Sequence, residues 1–371
     1  MAKVICILGA LLLLGGCSAK VDEPAAARVQ EKPAVQEADV EKQVTADSRS
    51  NRYGSHAPVD GVIWRGFNAL QSSKVAWGST GARQSLIKMV ATGANSVVLI
   101  PFLKQDSRHA TDIRQANNVT DAQLIAAIET AHQLGLKVIV KPQILVKGSW
   151  TGEIEFSHEK QRLIWFKNYS SHIRKYARLS QKQGVEAFVI GTELSKLAKE
   201  LPWLPLITEL RGEFRGKLSY AAHNVEGVER FPYWDKLDAI GVSLYPSLGD
   251  MGEYDEMLAH IELSLYKLKR AVKEQGGKAI WLLEIGMPSA DGSSSQPWEW
   301  RSLHKSKTRP NLTMQTAAVA AWLNAVSQVQ SVKAVYFWSW YSDPYAGGEH
   351  NLDYTVQNKP AEIMIRQIWN K

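Results

Sequence analysis

Residues 280–288 read Ile-Trp-Leu-Leu-Glu-Ile-Gly-Met-Pro, an apolar run of strand length that is closed by glycine and proline. Such a run is typical of a strand buried on both faces of a parallel sheet. Residues 187–194 read Ala-Phe-Val-Ile-Gly-Thr-Glu-Leu and have the same design. Each predicted strand therefore carries one carboxylate at its C-terminal end, Glu284 in the first stretch and Glu193 in the second.

These two glutamates have two interpretations. Either residue alone is explained as a buried glutamate that is held by an ion pair with a lysine or an arginine. Two glutamates at the same ends of two buried strands favour a functional carboxylate pair instead. Glu193 and Glu284 are therefore the candidate catalytic residues.

Outward from these stretches, strand-like runs alternate with segments of helical periodicity, which indicates βα units around a parallel sheet. The predicted strands are 62–70, 96–103, 137–146, 187–194, 216–223, 237–245, 280–284 and 334–340. The predicted helices are 81–92, 121–134, 157–183, 201–214, 253–275, 313–329 and 361–369. This alternation predicts an α/β fold, a (β/α)8 TIM barrel forming a single catalytic domain over residues 59–371. In such barrels active sites lie at the C-terminal ends of the strands, where both glutamates fall.

The N-terminus has the features of a secretory signal. Lys3 supplies a positive charge, and the apolar run 4–14 is too short for a stable transmembrane helix. Leu-Gly-Gly-Cys at 14–17 resembles the lipobox of bacterial lipoproteins, which implies a signal peptide over 1–16 and lipidation of Cys17. By the same resemblance, Ser18 after the cysteine favours the outer membrane. The expected location is the bacterial cell envelope, with the protein anchored in the membrane through its lipid.

Residues 17–58 are rich in Ala, Glu, Lys, Gln, Val and Asp, which predicts a disordered tether between the lipid and the catalytic domain. Both cysteines of the chain, Cys6 and Cys17, belong to the N-terminal segment. Removal of the signal leaves no disulfide and no thiol nucleophile for the barrel. Stability must therefore come from burial of the core.

Composition narrows the possible partners. The net charge is +7, but the basic residues are scattered and do not interleave with aromatics, so nucleic-acid binding is not expected. Thirteen Trp and twelve Tyr residues include rings that stack on sugars as well as rings that fill the core. The spacing of Asp343, Glu349, His350 and Asp353 matches no known metal site. We expect no metal and no cofactor, and a monomer.

A barrel with glutamates closing its fourth and seventh strands resembles the large clan of retaining (β/α)8 glycosidases. In that clan the fourth-strand glutamate is the acid/base and the seventh-strand glutamate is the nucleophile. More narrowly, the chain resembles glycoside hydrolase family 113. The stretches that carry this resemblance are Gly191-Thr192-Glu193-Leu194, Lys141-Pro142, residues 148–152 (Gly-Ser-Trp-Thr-Gly), residues 234–241 (Trp-Asp-Lys-Leu-Asp-Ala-Ile-Gly), Leu283-Glu284-Ile285-Gly286 and 353–361. The resemblance implies a β-1,4-mannan or manno-oligosaccharide as substrate.

The sequence departs from the family pattern at two positions. Gln143 stands where the family has a histidine, and Thr192 stands where many clan members have an asparagine before the acid/base. Neither change removes a catalytic carboxylate, but both lie where contacts to sugar hydroxyls are expected. The predicted substrate contacts are Trp64, Asn68, Lys141, Gln143, His223, Asn224, Tyr245 and Trp338.

Some of these predictions have structural alternatives. The clan places a tyrosine near the end of the sixth strand against the nucleophile, and Tyr245 matches this position or is a rim aromatic. Trp338 and Trp340 are two residues apart, so a regular strand puts both on one face, either as a sugar platform or against outer helices. A lone histidine such as His223 is as often structural as functional.

The chemistry implied by the resemblance is double displacement. Two carboxyls about 5 Å apart allow Glu284 to attack the anomeric carbon while Glu193 protonates the leaving oxygen. Glu193 would then act as the base that activates water. The alternatives are hydrolysis of a β-1,4-glucan or xylan, a carbohydrate-binding envelope lipoprotein that has lost catalysis, and a barrel hydrolase of another bond such as an amide.

Overall fold

Eight parallel strands close into a barrel in the computed structural model, which describes residues 64–299 and 308–371. The strands are β1 (Trp64–Leu70), β2 (Ser96–Leu99), β3 (Phe102–Gln105), β4 (Arg114–Gln115), β5 (Lys137–Val140), β6 (Gln143–Val146), β7 (Ala187–Thr192), β8 (Lys217–His223), β9 (Ala239–Ser243), β10 (Ile280–Ile285) and β11 (Val332–Tyr341). The closed ring runs β1-β2-β5-β7-β8-β9-β10-β11 and returns to β1. The predicted (β/α)8 barrel is confirmed.

One helix follows each barrel strand. The helices are α1 (Thr80–Ala91), α2 (Asp121–Gln133), α3 (Glu159–Lys182), α4 (Trp203–Glu213), α5 (Asn224–Arg230), α6 (Tyr254–Glu274), α7 (Leu312–Ser327) and α8 (Pro360–Trp369). Seven of them match the predicted helices to within about two residues at each end, the scatter expected at helix termini. The short helix α5 was not predicted, because its seven residues are too few to show a 3.6-residue apolar repeat.

Two predicted strands are each divided by a proline. The runs 96–103 and 137–146 break at Pro101 and Pro142, and the pieces after the break, β3 and β6, leave the barrel and pair with each other. With β4 they form a separate three-stranded sheet. Proline lacks the N–H that the ladder needs and restricts the residue before it, so a central strand ends there. The break places Lys141 directly after β5 and Gln143 at the start of β6.

The core has two layers. Side chains inside the barrel form one cluster, which includes small residues on several strands beside larger ones such as Leu283 and Tyr336. The outward faces of the strands and the inner faces of the helices form the second and larger cluster. Close packing is visible at Gly241, where an added Cβ would lie 2.4 Å from the Tyr220 carbonyl oxygen. The barrel is thus filled, and chemistry is restricted to its mouths.

The N-terminal predictions lie outside the described residues. These are the signal peptide over 1–16, the tether over 17–58, lipidation of Cys17, and the first residues of the domain that was expected to begin at residue 59. Within the described part of the chain, every helix is too short or too polar to cross a bilayer.

Candidate active site

Glu193 lies one residue beyond β7, at the C-terminal mouth of the barrel. Its backbone has a φ of +54°, and its N–H donates to the Ala221 carbonyl of the neighbouring strand at 2.8 Å. The indole N–H of Trp150 donates to Oε2 of Glu193 at 3.1 Å, and Nδ1 of His223 lies 3.2 Å from Oε1. The rings of Trp150 and His223 meet edge to face at 4.7 Å. Each oxygen of the Glu193 carboxyl therefore has one fixed partner.

Glu284 lies in β10 at the same mouth, and it is 6% exposed. The Lys141 ammonium, itself fully buried, forms an ion pair with Oε1 of Glu284. The Gln143 amide donates to the same oxygen at 2.6 Å, and the Tyr245 hydroxyl donates to Oε2 at 3.4 Å. The register of β10 against β9 shifts between Leu282 and Glu284, an irregularity of the kind that redirects a side chain at a strand end. Three donors thus converge on this carboxylate.

Asn224 connects the surroundings of the two glutamates. It follows the last residue of β8 and has a φ of +52°, in the left-handed region that asparagine tolerates better than most residues. Its Oδ1 accepts the backbone N–H of Tyr245 at 2.9 Å, and its Nδ2 lies 3.3 Å from Nε2 of His223. Asn224 therefore joins the histidine beside Glu193 to the segment that carries Tyr245 beside Glu284.

Trp338 and Trp340 do not share a face, contrary to the regular-strand expectation. The pairing of β1 with β11 shifts register between them, and such a shift moves side chains to the other face. Trp340 is fully buried in the outer layer, where its indole N–H donates to Ser85 at 2.8 Å. Trp338 packs against the interior cluster with its ring centroid 5.5 Å from the Lys141 ammonium. Trp338 therefore lies beside the site, and Trp340 does not.

Two of the predicted substrate contacts, Asn68 and Trp64, are packed inside the barrel. Asn68 is fully buried, and its amide donates to the Leu283 carbonyl at 2.8 Å, so it supports β10 from within the barrel. Trp64 begins β1, and its ring packs on Trp281 at 5.3 Å and under the ammonium of Lys137 at 5.9 Å. These partners lie at the N-terminal ends of β10 and β5, the barrel end opposite the glutamates. Trp64 is therefore removed from the candidate substrate contacts.

A cavity of about 300 Å³ opens on the Glu193 side of the site. Its walls include Trp150 and His223, the two residues that hold Glu193, and also Trp298 and Arg230. Trp150 is not among the predicted site residues, although the Gly-Ser-Trp-Thr-Gly stretch that contains it carries part of the family resemblance. Trp298 is not among them either, because it lies in a loop without periodicity. A cavity with aromatic walls beside a carboxyl suits a sugar ring.

Two carboxylates at the ends of the fourth and seventh strands of a (β/α)8 barrel, beside this cavity, are the arrangement that glycosidic bond hydrolysis uses. The family model described as Glycoside Hydrolase Family 113 matches residues 66–359. The chain belongs to glycoside hydrolase family 113. The predicted family is confirmed, and with it an O-glycosyl hydrolase that acts on an oligo- or polysaccharide.

Solved structures agree with this membership. A GH113 β-1,4-mannanase in a complex structure is 27% identical, with a TM-score of 0.73 over 83% of this chain and 99% of that one. The GH113 β-mannanase AaManA from Alicyclobacillus acidocaldarius, in complex with ManMIm, is 25% identical, with a TM-score of 0.73 over 85% of this chain and 99% of its own. A family 5 mannosidase from Rhizomucor miehei, at 12% identity and a TM-score of 0.58, shares the fold. No curated protein matches the sequence.

Charge and burial act differently on the two glutamates of this family 113 hydrolase. Burial raises the pKa of Glu193, but His223, the Trp150 N–H and Lys141 together lower it by more, so the net shift is downward. Burial raises the pKa of Glu284, and the charge of Glu193 adds to this rise while Lys141 and Gln143 oppose it, with a net upward shift. By these shifts, Glu284 would hold a proton more readily than Glu193.

The pairing of Lys141 argues the other way for Glu284. Among the described residues, the Lys141 ammonium contacts no acceptor other than Glu284. Protonation of Glu284 would leave a fully buried cation without a counter-charge, which costs several kcal/mol. Burial lowers the pKa of Lys141, so the two groups form one coupled pair. We therefore take the pair as ionic, with the proton on Lys141.

No metal cluster accounts for the charges of the site. Within residues 64–299 and 308–371, no group of three or more His, Cys, Asp or Glu side chains has a geometry that would hold a metal ion. The basic groups that face the two carboxyls are Lys141 and the ring of His223.

Proposed function

We propose that this protein is a retaining glycoside hydrolase that cleaves β-1,4-linked mannan or manno-oligosaccharides, with Glu284 as nucleophile and Glu193 as acid/base. The observation that carries the proposal is the difference between the two sets of partners. Glu284 accepts from an ammonium, an amide and a phenol, all of which favour its ionised form. Glu193 is held by Trp150 and His223, which line the cavity where a leaving group can take its proton.

The reaction proceeds in two displacements. An oxygen of Glu284 forms a bond to the anomeric carbon as the glycosidic bond breaks, and Glu193 transfers its proton to the leaving oxygen. Glu193, now ionised, removes a proton from a water molecule, whose oxygen displaces Glu284 from the anomeric carbon. The sugar leaves with its original anomeric configuration, and both glutamates return to their starting protonation states.

Support for a mannan substrate comes from the relatives. The two family 113 structures described above are named a β-1,4-mannanase and a β-mannanase. Gln143, which departs from the family pattern, contacts the nucleophile itself. We therefore expect Gln143 to influence Glu284 as well as any sugar hydroxyl that it reaches.

The test is a hydrolysis screen on β-1,4-linked manno-, gluco- and xylo-oligosaccharides, with Glu284→Gln and Glu193→Gln alongside the wild type. We expect release of reducing ends from manno-oligosaccharides by the wild type and a loss of roughly a thousandfold or more in each variant. Turnover that survives in Glu284→Gln would contradict the nucleophile assignment. Release from another sugar alone would keep the mechanism and overturn the substrate.

We also propose that Cys17 is lipidated and anchors the enzyme in the bacterial envelope, where the outer membrane is the expected site. The support is the Leu-Gly-Gly-Cys stretch at residues 14–17 and the Ser18 that follows it. We expect labelled palmitate to be incorporated by the wild type and lost in Cys17→Ser. Cys6→Ser is the matched control, because it removes the other cysteine and should retain the label. Label that persists in Cys17→Ser would contradict the anchor.

A further inference from the structure

The side-chain amide of Asn224 has only one possible orientation. Its Oδ1 lies 2.9 Å from the backbone nitrogen of Tyr245, which carries a hydrogen and can only donate. The atom facing that N–H must therefore be the amide oxygen. The amide nitrogen then points to the other side, 3.3 Å from Nε2 of His223.

This orientation determines which nitrogen of His223 carries the hydrogen. The amide nitrogen of Asn224 has hydrogens and no lone pair to accept with, so a hydrogen bond to Nε2 requires Nε2 to be the acceptor. A neutral imidazole with a bare Nε2 carries its hydrogen on Nδ1. Nδ1 lies 3.2 Å from Oε1 of Glu193, so this hydrogen is donated to the carboxyl.

The charges around the ring favour the opposite state. His223 faces Glu193 beyond β7, Glu226 on α5 and Glu284 on β10, and these carboxylates raise its pKa against the effect of burial. In an imidazolium, however, Nε2 would also carry a hydrogen, and this N–H would face the amide hydrogens of Asn224, so that two donors would oppose each other. The backbone N–H of Tyr245 prevents the amide from turning to accept it. The hydrogen-bond pattern and the surrounding charges thus compete for the proton on His223.

We propose, on the basis of the function proposed above, that Asn224 is a positioning residue that keeps His223 neutral with its hydrogen on Nδ1. A neutral N–H beside Glu193 orients the carboxyl without forming an ion pair with it. An imidazolium would stabilise the ionised carboxylate and oppose the protonated form that donates to the leaving group. Asn224 therefore helps Glu193 to remain an acid, although Asn224 acts through His223 and does not itself contact the carboxyl.

The backbone explains why the position suits asparagine. With a φ of +52° at the junction of β8 and α5, most side chains are disfavoured, whereas Asn, Asp and Gly are tolerated. Asn224→Asp is therefore nearly isosteric and keeps the backbone. Its carboxylate accepts both from the Tyr245 N–H and from a protonated Nε2, so it stabilises the imidazolium. Asn224→Gly keeps the backbone, removes the amide and adds no charge.

The first test is the pH dependence of kcat/KM on whichever oligosaccharide the wild type cleaves. In Asn224→Asp we expect the basic limb to move to lower pH by about one unit, with a loss of roughly tenfold at neutral pH. Asn224→Gly should show a smaller shift in the same direction. If Asn224 had a merely structural role, Asn224→Asp would lower the activity without moving the basic limb of the pH profile. An unchanged basic limb would therefore overturn the proposal.

The second test does not need a substrate. Imidazole ¹⁵N NMR at neutral pH reports which ring nitrogens are protonated, and the His223 signals are those that disappear in His223→Gln. We expect Nδ1 protonated and Nε2 bare in the wild type, and both protonated in Asn224→Asp. Two protonated nitrogens in the wild type would overturn the proposal. The expected spectrum in a protein that cleaves no glycan would support the assignment of the tautomer and contradict the proposed function alone.

Discussion

The two carboxyls that we propose to be catalytic sit in different kinds of surroundings. The partners of Glu284 lie on or next to barrel strands and include a fully buried ammonium. The partners of Glu193 are Trp150, between β6 and α3, and His223, at the end of β8, and both line the cavity. A group that stays ionised requires rigid donors of fixed charge, whereas a group that gains and loses a proton requires neighbours that do not hold it in one state. In the proposed mechanism, two different sets of partners at one barrel mouth meet these two demands.

The largest effect is expected from removing the charge beside Glu284. Lys141→Met leaves a buried carboxylate unpaired, which should lower kcat roughly a thousandfold and destabilise the fold by about 3–5 kcal/mol. Urea unfolding and steady-state kinetics measure both. In Lys141→Met/Glu284→Gln no charge remains to be stranded, so this double variant should recover most of the stability. Full activity in Lys141→Met would show that the ion pair does not define the nucleophile.

A second buried lysine supports the same side of the barrel without a carboxylate contact. Lys359 donates to Ser289 Oγ and to the Asp353 carbonyl, both at 2.8 Å, and burial lowers its pKa to about 7. In the unfolded chain this lysine has a pKa of about 10.4. Between about pH 7 and this value, the unfolded state therefore binds more protons than the folded state. Unfolding free energy contributed by this group therefore rises as pH rises from about 7 to about 10, by up to about 4 kcal/mol.

The variant Lys359→Met removes this titration and should flatten the dependence of stability on pH in that window. Urea unfolding at pH 7 and pH 9.5 measures the difference. Lys333→Met is the control, since it removes a lysine from β11 and leaves the contacts of Lys359 to Ser289 and Asp353 in place. An equal slope in wild type and Lys359→Met would mean that Lys359 keeps an ordinary pKa.

A smaller effect is expected from the weakest of the three donors to Glu284. Tyr245→Phe removes a hydroxyl that lies 3.4 Å from Oε2 and leaves the ion pair in place. We expect kcat to fall roughly tenfold, the scale of one neutral hydrogen bond to a charged group, with the fold intact. Tyr354→Phe is a matched control, because that ring packs on Tyr245 at 6.2 Å while its hydroxyl donates to Pro297. Equal losses in both variants would make the effect one of packing.

The smallest effect concerns the donor to Glu193. Trp150→Phe removes the indole N–H from Oε2, and because that hydrogen bond lowers the pKa of Glu193, its loss should raise this pKa. The basic limb of the pH profile should therefore move to higher pH, by about half a unit, with a several-fold fall in kcat. The opposite shift would contradict the protonation scheme for Glu193.

Much of the fold could be predicted from the sequence, because buried parallel strands and amphipathic helices place apolar residues in different patterns along the chain. The two carboxyls followed from the same pattern, since each ends an apolar run. The hydrogen-bond partners of the carboxyls could not be predicted in this way, because they depend on the register between strands and on where strands break. Lys141 and Gln143 reach Glu284 only because the chain breaks at Pro142, between β5 and β6. The apolar pattern of the sequence predicts one continuous strand over residues 137–146 and does not show this break.

Two tryptophans show the same limit. Trp64 is a predicted substrate contact, but it begins its strand, and only the C-terminal end of a barrel strand faces the active site. Trp150 is not a predicted contact because it lies outside the periodic elements, although its indole N–H donates to Glu193. Position along a strand is visible in a sequence, so the placement of Trp64 at the barrel end opposite the glutamates can be predicted. The loop that brings Trp150 to β7 is a tertiary feature that periodicity does not encode.

The most direct test of the account is to trap the covalent intermediate with an activated 2-deoxy-2-fluoro-β-mannoside and to locate the label by mass spectrometry. The account predicts a single adduct on the peptide that contains Glu284, formed by the wild type and absent in Glu284→Gln. A label on Glu193, or hydrolysis that inverts the anomeric configuration without any adduct, would contradict it.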